Sequence, residues 1–151
     1  MTSAENVPRA ILVATDGSDA ARRAFEAALE IADQCGGVVH LLTVVDTTAT
    51  PVAFGVADVH DLEDAKERLI EDALAIDGDH AVDVTGAVRR GHPATRILEY
   101  VEENEIDLIA MGRTSRSSVS EAIVGSTTDR IIRTASVPVL VVPADTDDER
   151  S

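Results

Sequence analysis

One segment near the C-terminus combines residue types that can cradle a phosphate. Four apolar residues, Leu108 to Met111, lie between Asp107 and Gly112. A polar loop of small residues follows and leads to Gly125 and Ser126, which precede a second apolar stretch. A loop of this composition can turn its amides inward, and the first N–H groups and the dipole of a helix favour an anion. The segment therefore predicts an anion site between a buried strand and the start of a helix.

A second polar turn, Ala14 to Ser18, follows an apolar run near the N-terminus. In an open, doubly wound sheet the ligand lies beyond the carboxyl ends of the strands, where the strand order reverses. With the order 3-2-1-4-5 that point lies between strands one and four, which these two turns follow. Each turn alone is explained as a tight connection, because Gly and Ser are common in turns. Their convergence favours a site.

Each charged or hydroxyl side chain in the two turns could either bind a ligand or have only a structural role. Asp16 could accept hydrogen bonds from a ribose or help to hold a divalent cation, or it could serve only as a turn residue. Ser126 and Asp129 have the spacing of a capping box, which can coexist with anion binding at the same helix start. Arg113 and Arg116 could offset phosphate charge, although loop arginines are commonly just solvated.

The elements that would position these residues alternate between strands and helices. Nearly continuous apolar runs predict strands at 10–15, 38–45, 81–88, 106–111 and 138–142. Helical spacing of apolar residues predicts helices at 19–35, at 59–76, from Pro93 onward and at 126–135. The pattern predicts an α/β fold, an open, doubly wound, five-stranded parallel sheet of order 3-2-1-4-5 with helices on both faces. At 151 residues, 1–151 is one domain, with an acidic tail at 145–151.

The composition argues against several classes of function. There are 28 acidic against 13 basic residues, a formal net charge of -15, which repels nucleic acid and anionic lipid. High charge serves solubility, but Lys66 is the only lysine, and the acidity favours a halophilic protein whose surroundings screen the repulsion with salt. The N-terminus has no apolar signal segment and no stretch approaches about 20 apolar residues, so we expect a cytoplasmic protein.

Other arrangements that carry chemistry are weak in this chain. The four histidines lack the spacing of metal ligands, and Cys35 is the only cysteine, so no internal disulfide can form. Ser18 and Ser126 have no recognisable base, so neither is assigned as a nucleophile. We therefore predict no catalytic residue and no metal-binding residue.

Motifs along the chain, taken in order, resemble those of the universal stress protein family. They are Ala14-Thr15-Asp16-Gly17-Ser18, Thr43-Val44-Val45-Asp46, Gly91-His92-Pro93-Ala94, Met111-Gly112, and Gly125-Ser126 followed by Pro138-Val139-Leu140-Val141-Val142. The resemblance covers the core of the chain, residues 8–143. The nucleotide-binding branch of that family carries Gly-x2-Gly-x9-Gly-Ser/Thr. Here the spacing is Gly112-x2-Ser115-x9-Gly125-Ser126, with serine in place of the middle glycine.

The resemblance implies that the ligand is ATP, with magnesium or manganese as a candidate accompanying ion. It implies that the first turn and Val44 lie near adenine and ribose, and that residues 112–118 and 126–128 surround the phosphates. It also implies a homodimer, for which strand 138–142, apolar and last in the sheet order, is the expected contact. The candidate nucleotide-binding residues are Ala14, Thr15, Asp16, Val44, Met111, Gly112, Arg113, Thr114, Ser115, Arg116, Ser117, Ser118, Gly125, Ser126, Thr127 and Thr128.

Three functions stay open at this point. The first is an ATP-binding stress-response regulator, a dimeric nucleotide-dependent switch with little or no hydrolysis that acts on an unknown client protein. The second is a nucleotide-free dimeric adaptor, which Ser115 permits, since serine costs on the order of 1 kcal/mol where a positive φ is needed. The third is a slow ATP-cleaving enzyme, which Asp16 with a metal would allow.

Overall fold

The computed structural model describes residues 8–16, 18–45, 82–113 and 126–143, together with Asp64, Lys66, Glu67 and Glu71. The four separate residues are helical and exposed, whereas the rest of the helix predicted at 59–76 and the tail at 145–151 lie outside the described residues. The strands are β1 (Ala10–Ala14), β2 (Val38–Val45), β3 (Val84–Arg90), β4 (Leu108–Gly112) and β5 (Val139–Val142). The helices whose bounds are described are α1 (Asp19–Cys35), α2 (Pro93–Glu103) and α3 (Ser126–Thr134).

The strands form one parallel sheet in the order β3-β2-β1-β4-β5. The predicted order and direction are confirmed. β1 lies at the centre, where Ala14 pairs in register with Leu42 of β2 on one side and with Met111 of β4 on the other. The carboxyl ends of β1 and β4 therefore meet at the point where the strand order reverses.

Alternation along the strands divides the core between the two faces of the sheet. Ile11 and Val13 of β1 pack with Phe25 of α1 on one face. Leu12, between them in the sequence, packs on the other face with residues of α2 and with Ile131 of α3. Helices therefore cover both faces, as predicted, and this explains why the strands are nearly continuous apolar runs.

The helix ends follow local signals in the sequence. The hydroxyl of Ser18 accepts a hydrogen bond from the amide of Ala21 at 3.1 Å at the start of α1, and Gly36, with a φ of 73°, ends that helix. Pro93 opens α2, and His92 occupies the cap position before it without a side-chain capping hydrogen bond. No helix among the described residues is long and apolar enough to cross a membrane.

Four strands have bounds that differ from those the apolar runs predict: β1 and β5 are one residue shorter, and β3 and β4 are displaced along the chain. β3 begins at Val84 rather than at 81 and continues to Arg90, past the predicted end at 88, because it pairs with β2 from Val84 to Arg90. β4 begins at Leu108 rather than at 106 and ends at Gly112 rather than at 111, because its pairing with β1 begins at Leu108 and its pairing with β5 reaches Gly112. The carboxylate of Asp107, just before β4, accepts hydrogen bonds from the amides of Arg9 and Ala10 at 3.0 and 3.1 Å. For β3 and β4, backbone pairing, and not side-chain polarity, decides where the strand lies.

Candidate functional site

The ends of β1, β2 and β4 form the edge at which the first predicted turn begins. Backbone pairing continues one residue past β1, because the amide of Thr15 donates to the carbonyl of Leu42 at 2.9 Å. The hydroxyl of Thr43 then donates to the carbonyl of Thr15 at 3.3 Å. Thr15 is therefore held against β2, and the chain leaves the sheet after it.

Three of the predicted binding residues, Ala14, Val44 and Met111, lie on the same face of the sheet at this edge; we call them the apolar floor. Met111 is buried in the core cluster that packs with α2 and α3, and Ala14 and Val44 are half-buried and pack against that cluster. The three residues come from adjacent strands. A partly exposed apolar surface of this kind suits one face of a flat ring.

Asp16 is exposed at the carboxyl end of β1, and its carboxylate accepts a hydrogen bond from the amide of Ser18 at 2.9 Å. This is the local contact by which aspartate stabilises turns. Ser18 in turn caps α1. The structure thus gives Asp16 the role of a turn residue, and a role toward a ribose or a cation stays a prediction.

Gly112 ends β4 and is buried where three other elements meet. The first turn of α1 leaves no room for a side chain at this position. The carbonyl of Gly112 accepts a hydrogen bond from the hydroxyl of Thr128 at 2.9 Å. The next amide, that of Arg113, donates to the carbonyl of Val142 of β5 at 2.9 Å. Packing therefore requires glycine at 112, a reason that the sequence motif does not reveal.

The second half of the predicted phosphate segment begins α3. Ser126 is exposed, Thr127 is half-buried and Thr128 is buried. The carboxylate of Asp129 accepts a hydrogen bond from Nε of Arg133, one turn later, at 2.9 Å. Among the residues that the structure describes, the capping-box contact between Asp129 and the backbone of Ser126 is absent. The start of α3 is therefore not occupied by that carboxylate.

Several predicted site residues lie outside the described ranges. They are Thr114, Ser115, Arg116, Ser117, Ser118 and Gly125, and Gly17 of the first turn is also outside. Arg113 and Ser126, which border the gap from 114 to 125, are described. Arg113 is half-buried at the end of β4 and brings a positive charge to this edge. Over the described parts of the chain, no three His, Cys, Asp or Glu side chains lie close enough to hold a metal ion.

A polar pair on the same face as the apolar floor was not predicted from the sequence. Nδ1 of His40 in β2 lies 2.7 Å from the hydroxyl of Tyr100 in α2, and the two rings meet edge to face. The guanidinium of Arg89 stands 5.2 Å from the centre of the Tyr100 ring and pairs with Glu103 at 3.6 Å. Burial lowers the pKa of His40 and raises the pKa of Tyr100. The sequence does indicate that His40 shares a face of β2 with Val44, because the two residues are an even number of positions apart.

Comparison with known proteins shows what the chain resembles as a whole. The model of the universal stress protein family matches residues 8–143. A universal stress protein of Methanocaldococcus jannaschii is 31% identical over 143 residues, which cover 91% of this chain and 84% of that protein. A hypothetical protein whose biochemical function was assigned from its structure has a TM-score of 0.81 at 25% identity, covering 92% of this chain and 98% of the other.

Two further solved structures are complexes with nucleotides. A universal stress protein in complex with cAMP has a TM-score of 0.61 at 23% identity and covers 92% of this chain and 99% of the other. A universal stress protein from Archaeoglobus fulgidus in complex with dAMP has a TM-score of 0.59 at 20% identity and covers 90% of this chain and 98% of the other. At these identities the likeness is one of fold.

Proposed function

The chain belongs to the universal stress protein family, and we propose that it binds ATP at the carboxyl edge of the sheet, between β1 and β4. Nucleotide occupancy would change the shape or the partner surface of a dimer, with little or no hydrolysis. The protein would then act as a cytoplasmic stress-response regulator toward a client protein. The family supplies the class of ligand, and the chain's own geometry supports the position.

The observation that carries the proposal is the meeting of β1 and β4 where the strand order reverses. Ala14 and Met111 are paired there, and Val44 lies near the end of the neighbouring strand on the same face. Ligands of doubly wound sheets bind in the crevice at this point. The apolar floor suits one face of adenine. Thr15 and Asp16, which follow Ala14 in the chain, are proposed to contact the ribose.

The phosphates are assigned to the segment after Gly112 and to the start of α3. The first N–H groups of a helix have no partner inside the helix, and its dipole favours an anion. Arg113 adds positive charge beside Gly112 in a chain whose net charge is -15. The residues proposed for this end of the nucleotide are Gly112, Arg113, Thr114, Ser115, Arg116, Ser117, Ser118, Gly125, Ser126, Thr127 and Thr128.

The complexes with cAMP and dAMP support adenine as the base, because both nucleotides carry it and both proteins have this fold. The choice of ATP comes from the spacing of Gly112, Ser115 and Gly125, which resembles that of the nucleotide-binding branch of the family. A magnesium or manganese ion is the candidate companion of the phosphates. Individual residue roles rest on the motifs and on the geometry of this chain.

The regulatory half of the proposal needs a second copy of the chain. β5 lies at one edge of the sheet and pairs with β4 on its other side. An unpaired strand edge is an aggregation hazard unless it is covered, charged or paired. Pairing with β5 of a second copy would satisfy this edge through a two-fold axis. We therefore propose the homodimer through strand 138–142.

Calorimetry with ATP, ADP and AMP tests the proposal on protein from which any co-purified ligand has been removed. Gly125→Val puts a branched side chain where the backbone is proposed to approach phosphate, so the affinity for ATP should fall at least ~10-fold, a loss of ~1.4 kcal/mol. Ser136→Val is the matched control, because Ser136 is exposed and follows the opposite end of α3. It should leave the affinity unchanged.

Mass spectrometry of the ligand released from the purified protein separates the three candidate functions. Bound adenine nucleotide supports the regulator. If no ligand is released and no adenine nucleotide binds, the protein is instead the nucleotide-free adaptor. Steady release of ADP or phosphate from ATP would favour the slow enzyme. Equal affinity of Gly125→Val and the parent chain would mean that the phosphates bind elsewhere.

A further inference from the structure

We infer that Thr128 is a positioning residue of the nucleotide site, which acts through the carbonyl of Gly112 and not by touching the phosphates. The inference rests on the proposed function, and it refines the role of one residue in the proposed set. Thr128 joins the end of β4 to the first turn of α3. These are the two elements from which the phosphate segment starts and to which it returns.

The burial of Thr128 is the first observation. The residue is 5% exposed, and among the described residues only Tyr100 carries a hydroxyl that is as deeply buried. A buried hydroxyl needs a hydrogen-bond partner, since an unsatisfied one is costly. The partner is the carbonyl of Gly112, at 2.9 Å and 16 residues earlier in the chain. The contact is therefore a tertiary one between two elements and not a local helix contact.

The second observation is that the side chain of Thr128 has no proton left to donate to a ligand. A hydroxyl has one proton to donate, and a phosphate oxygen is an acceptor that needs a donor. The proton of Thr128 is already donated to the carbonyl of Gly112. Ser126 and Thr127 are less buried and lie in the same helical turn, so they are better placed to donate to a ligand. Thr128 then serves the site by fixing the backbone.

Three contacts hold Gly112. In the described structure, the bond from the hydroxyl of Thr128 is the only one of the three that is a hydrogen bond from a side chain. α1 packs against Gly112 at Ala20, and the next amide, that of Arg113, is bonded to the carbonyl of Val142. The hydroxyl of Thr128 adds the start of α3 to this junction. The two borders of the phosphate segment are therefore tied to one point. A segment with fixed ends loses less freedom on binding, which raises affinity through preorganisation.

Three variants of the full chain test the inference. Thr128→Val removes the hydroxyl and keeps the shape, whereas Thr128→Ser keeps the hydroxyl. Thr134→Val is the matched control, because Thr134 lies on the same helix, is exposed, and donates its hydroxyl proton to the carbonyl of Arg130 at 2.7 Å. The measurements are the affinity for ATP by calorimetry and, without nucleotide, the amide exchange of the peptide from Gly112 to Ser126.

We expect Thr128→Val to bind ATP about 10-fold more weakly and to exchange the amides of that peptide faster, because a buried acceptor loses its donor. Thr128→Ser should restore affinity to within about 3-fold of the parent and restore the exchange rate, and Thr134→Val should change neither. Unchanged affinity and exchange in Thr128→Val would overturn the inference.

The exchange measurement separates this inference from the proposed function. If the parent chain binds no adenine nucleotide, the proposed function fails, yet faster exchange in Thr128→Val alone would still support the tie between Thr128 and Gly112. If the parent binds ATP and Thr128→Ser binds as weakly as Thr128→Val, the hydroxyl is not the group that matters. If Thr128→Val fails to fold, Thr128→Ala is made as a second variant, and loss of folding there as well would make the residue a requirement of the whole fold and overturn a role specific to the site.

Discussion

A β-carbon on Gly112 would lie 2.7 Å from the β-carbon of Ala20 and 3.0 Å from the amide nitrogen of Ala21. Atoms at this separation must move apart, so the first turn of α1 rests directly on the end of β4. Ser18 caps that turn, and the carboxylate of Asp16 accepts the amide of Ser18. The two turns predicted to form the site are thus joined by packing in the protein itself, before any ligand binds.

Gly112→Ala should destabilise the chain by about 1–3 kcal/mol, because the added methyl group forces α1 away from the sheet. In a domain of this size that corresponds to a fall in Tm of several degrees. Gly36→Ala is the comparison, since Gly36 has a φ of 73° and no atom within 4 Å of the added carbon. Its cost comes from the backbone conformation alone, about 1 kcal/mol. Thermal melts that rank the two variants in the opposite order would contradict the close packing of α1 on Gly112.

The pair of His40 and Tyr100 predicts a pH dependence of stability. Burial lowers the pKa of His40 from its ordinary value of 6.5, so the unfolded chain binds the proton more tightly than the folded chain. The contribution of His40 to the free energy of unfolding should therefore be fully present above about pH 6.5 and should decline as the pH falls below that value. His40→Gln removes the titrating group, so its stability should depend less on pH between 7 and 5 than that of the parent.

His92→Gln is the control for this measurement, because His92 is an exposed histidine at the cap position of α2. It should keep the pH dependence of the parent in denaturant unfolding. Equal slopes for His40→Gln and the parent would mean that protonation of His40 is accommodated in the folded state, for example by rearrangement of Tyr100 and its neighbours Arg89 and Glu103.

The sheet could be predicted from the sequence because its strands are covered on both faces. The run from Val38 to Val45 is apolar except for His40 and Thr43, and such nearly continuous runs are typical of a parallel sheet covered by helices. The apolar run predicts the end of β3 at 88, before Arg89 and Arg90, because charge is a poor guide to backbone pairing at a strand end. The bonds from Tyr100 to His40 and from Thr128 to Gly112 could not be predicted, since each depends on distances between elements that a local pattern does not contain.

Ser115→Gly should preserve ATP binding or strengthen it by up to about 5-fold, because glycine restores freedom of φ worth about 1 kcal/mol at the position where the family motif has glycine. Ser136→Gly makes the same change at an exposed position after α3 and should leave the affinity for ATP unaltered. Calorimetry on the two variants measures this. A large loss of affinity in Ser115→Gly would identify the hydroxyl of Ser115 as a ligand contact and reverse our interpretation of the substitution.

Stability should rise with salt, because the net charge of -15 leaves many carboxylates that repel one another. The Debye length shortens from ~10 Å at 0.1 M to ~3 Å at 1 M, which weakens the repulsion between exposed charges. Thermal melts of the parent should therefore move upward over that range. Glu67 and Glu71 are exposed helical residues four positions apart, so Glu71→Lys should raise the Tm at low salt and by less at high salt. A Tm that stays flat or falls with salt would contradict the halophilic interpretation.

Hydrogen bonding within the sheet decides which groups of β5 face outward. The carbonyls of Pro138 and Val142 accept hydrogen bonds from the β4 side at 3.0 and 2.9 Å. Because backbone groups of successive strand residues point to opposite sides, the amide and carbonyl of Val141 face away from β4. The side chain of Leu140, by contrast, packs against the core cluster of α1. A lysine at 140 would disturb that core, so the edge itself is better tested through the backbone.

Val141→Pro should shift the protein from dimer to monomer, because it removes an outward amide that a second β5 would need and leaves the bonds to β4 in place. Proline is tolerated at such outward positions of edge strands. Leu140→Pro is the matched control, since it removes an amide on the β4 side and should lower the Tm whether or not the chain dimerises. Sedimentation at micromolar concentration in high salt measures the assembly state of each variant. If the parent chain is itself monomeric under these conditions, the edge of β5 is protected without a second copy.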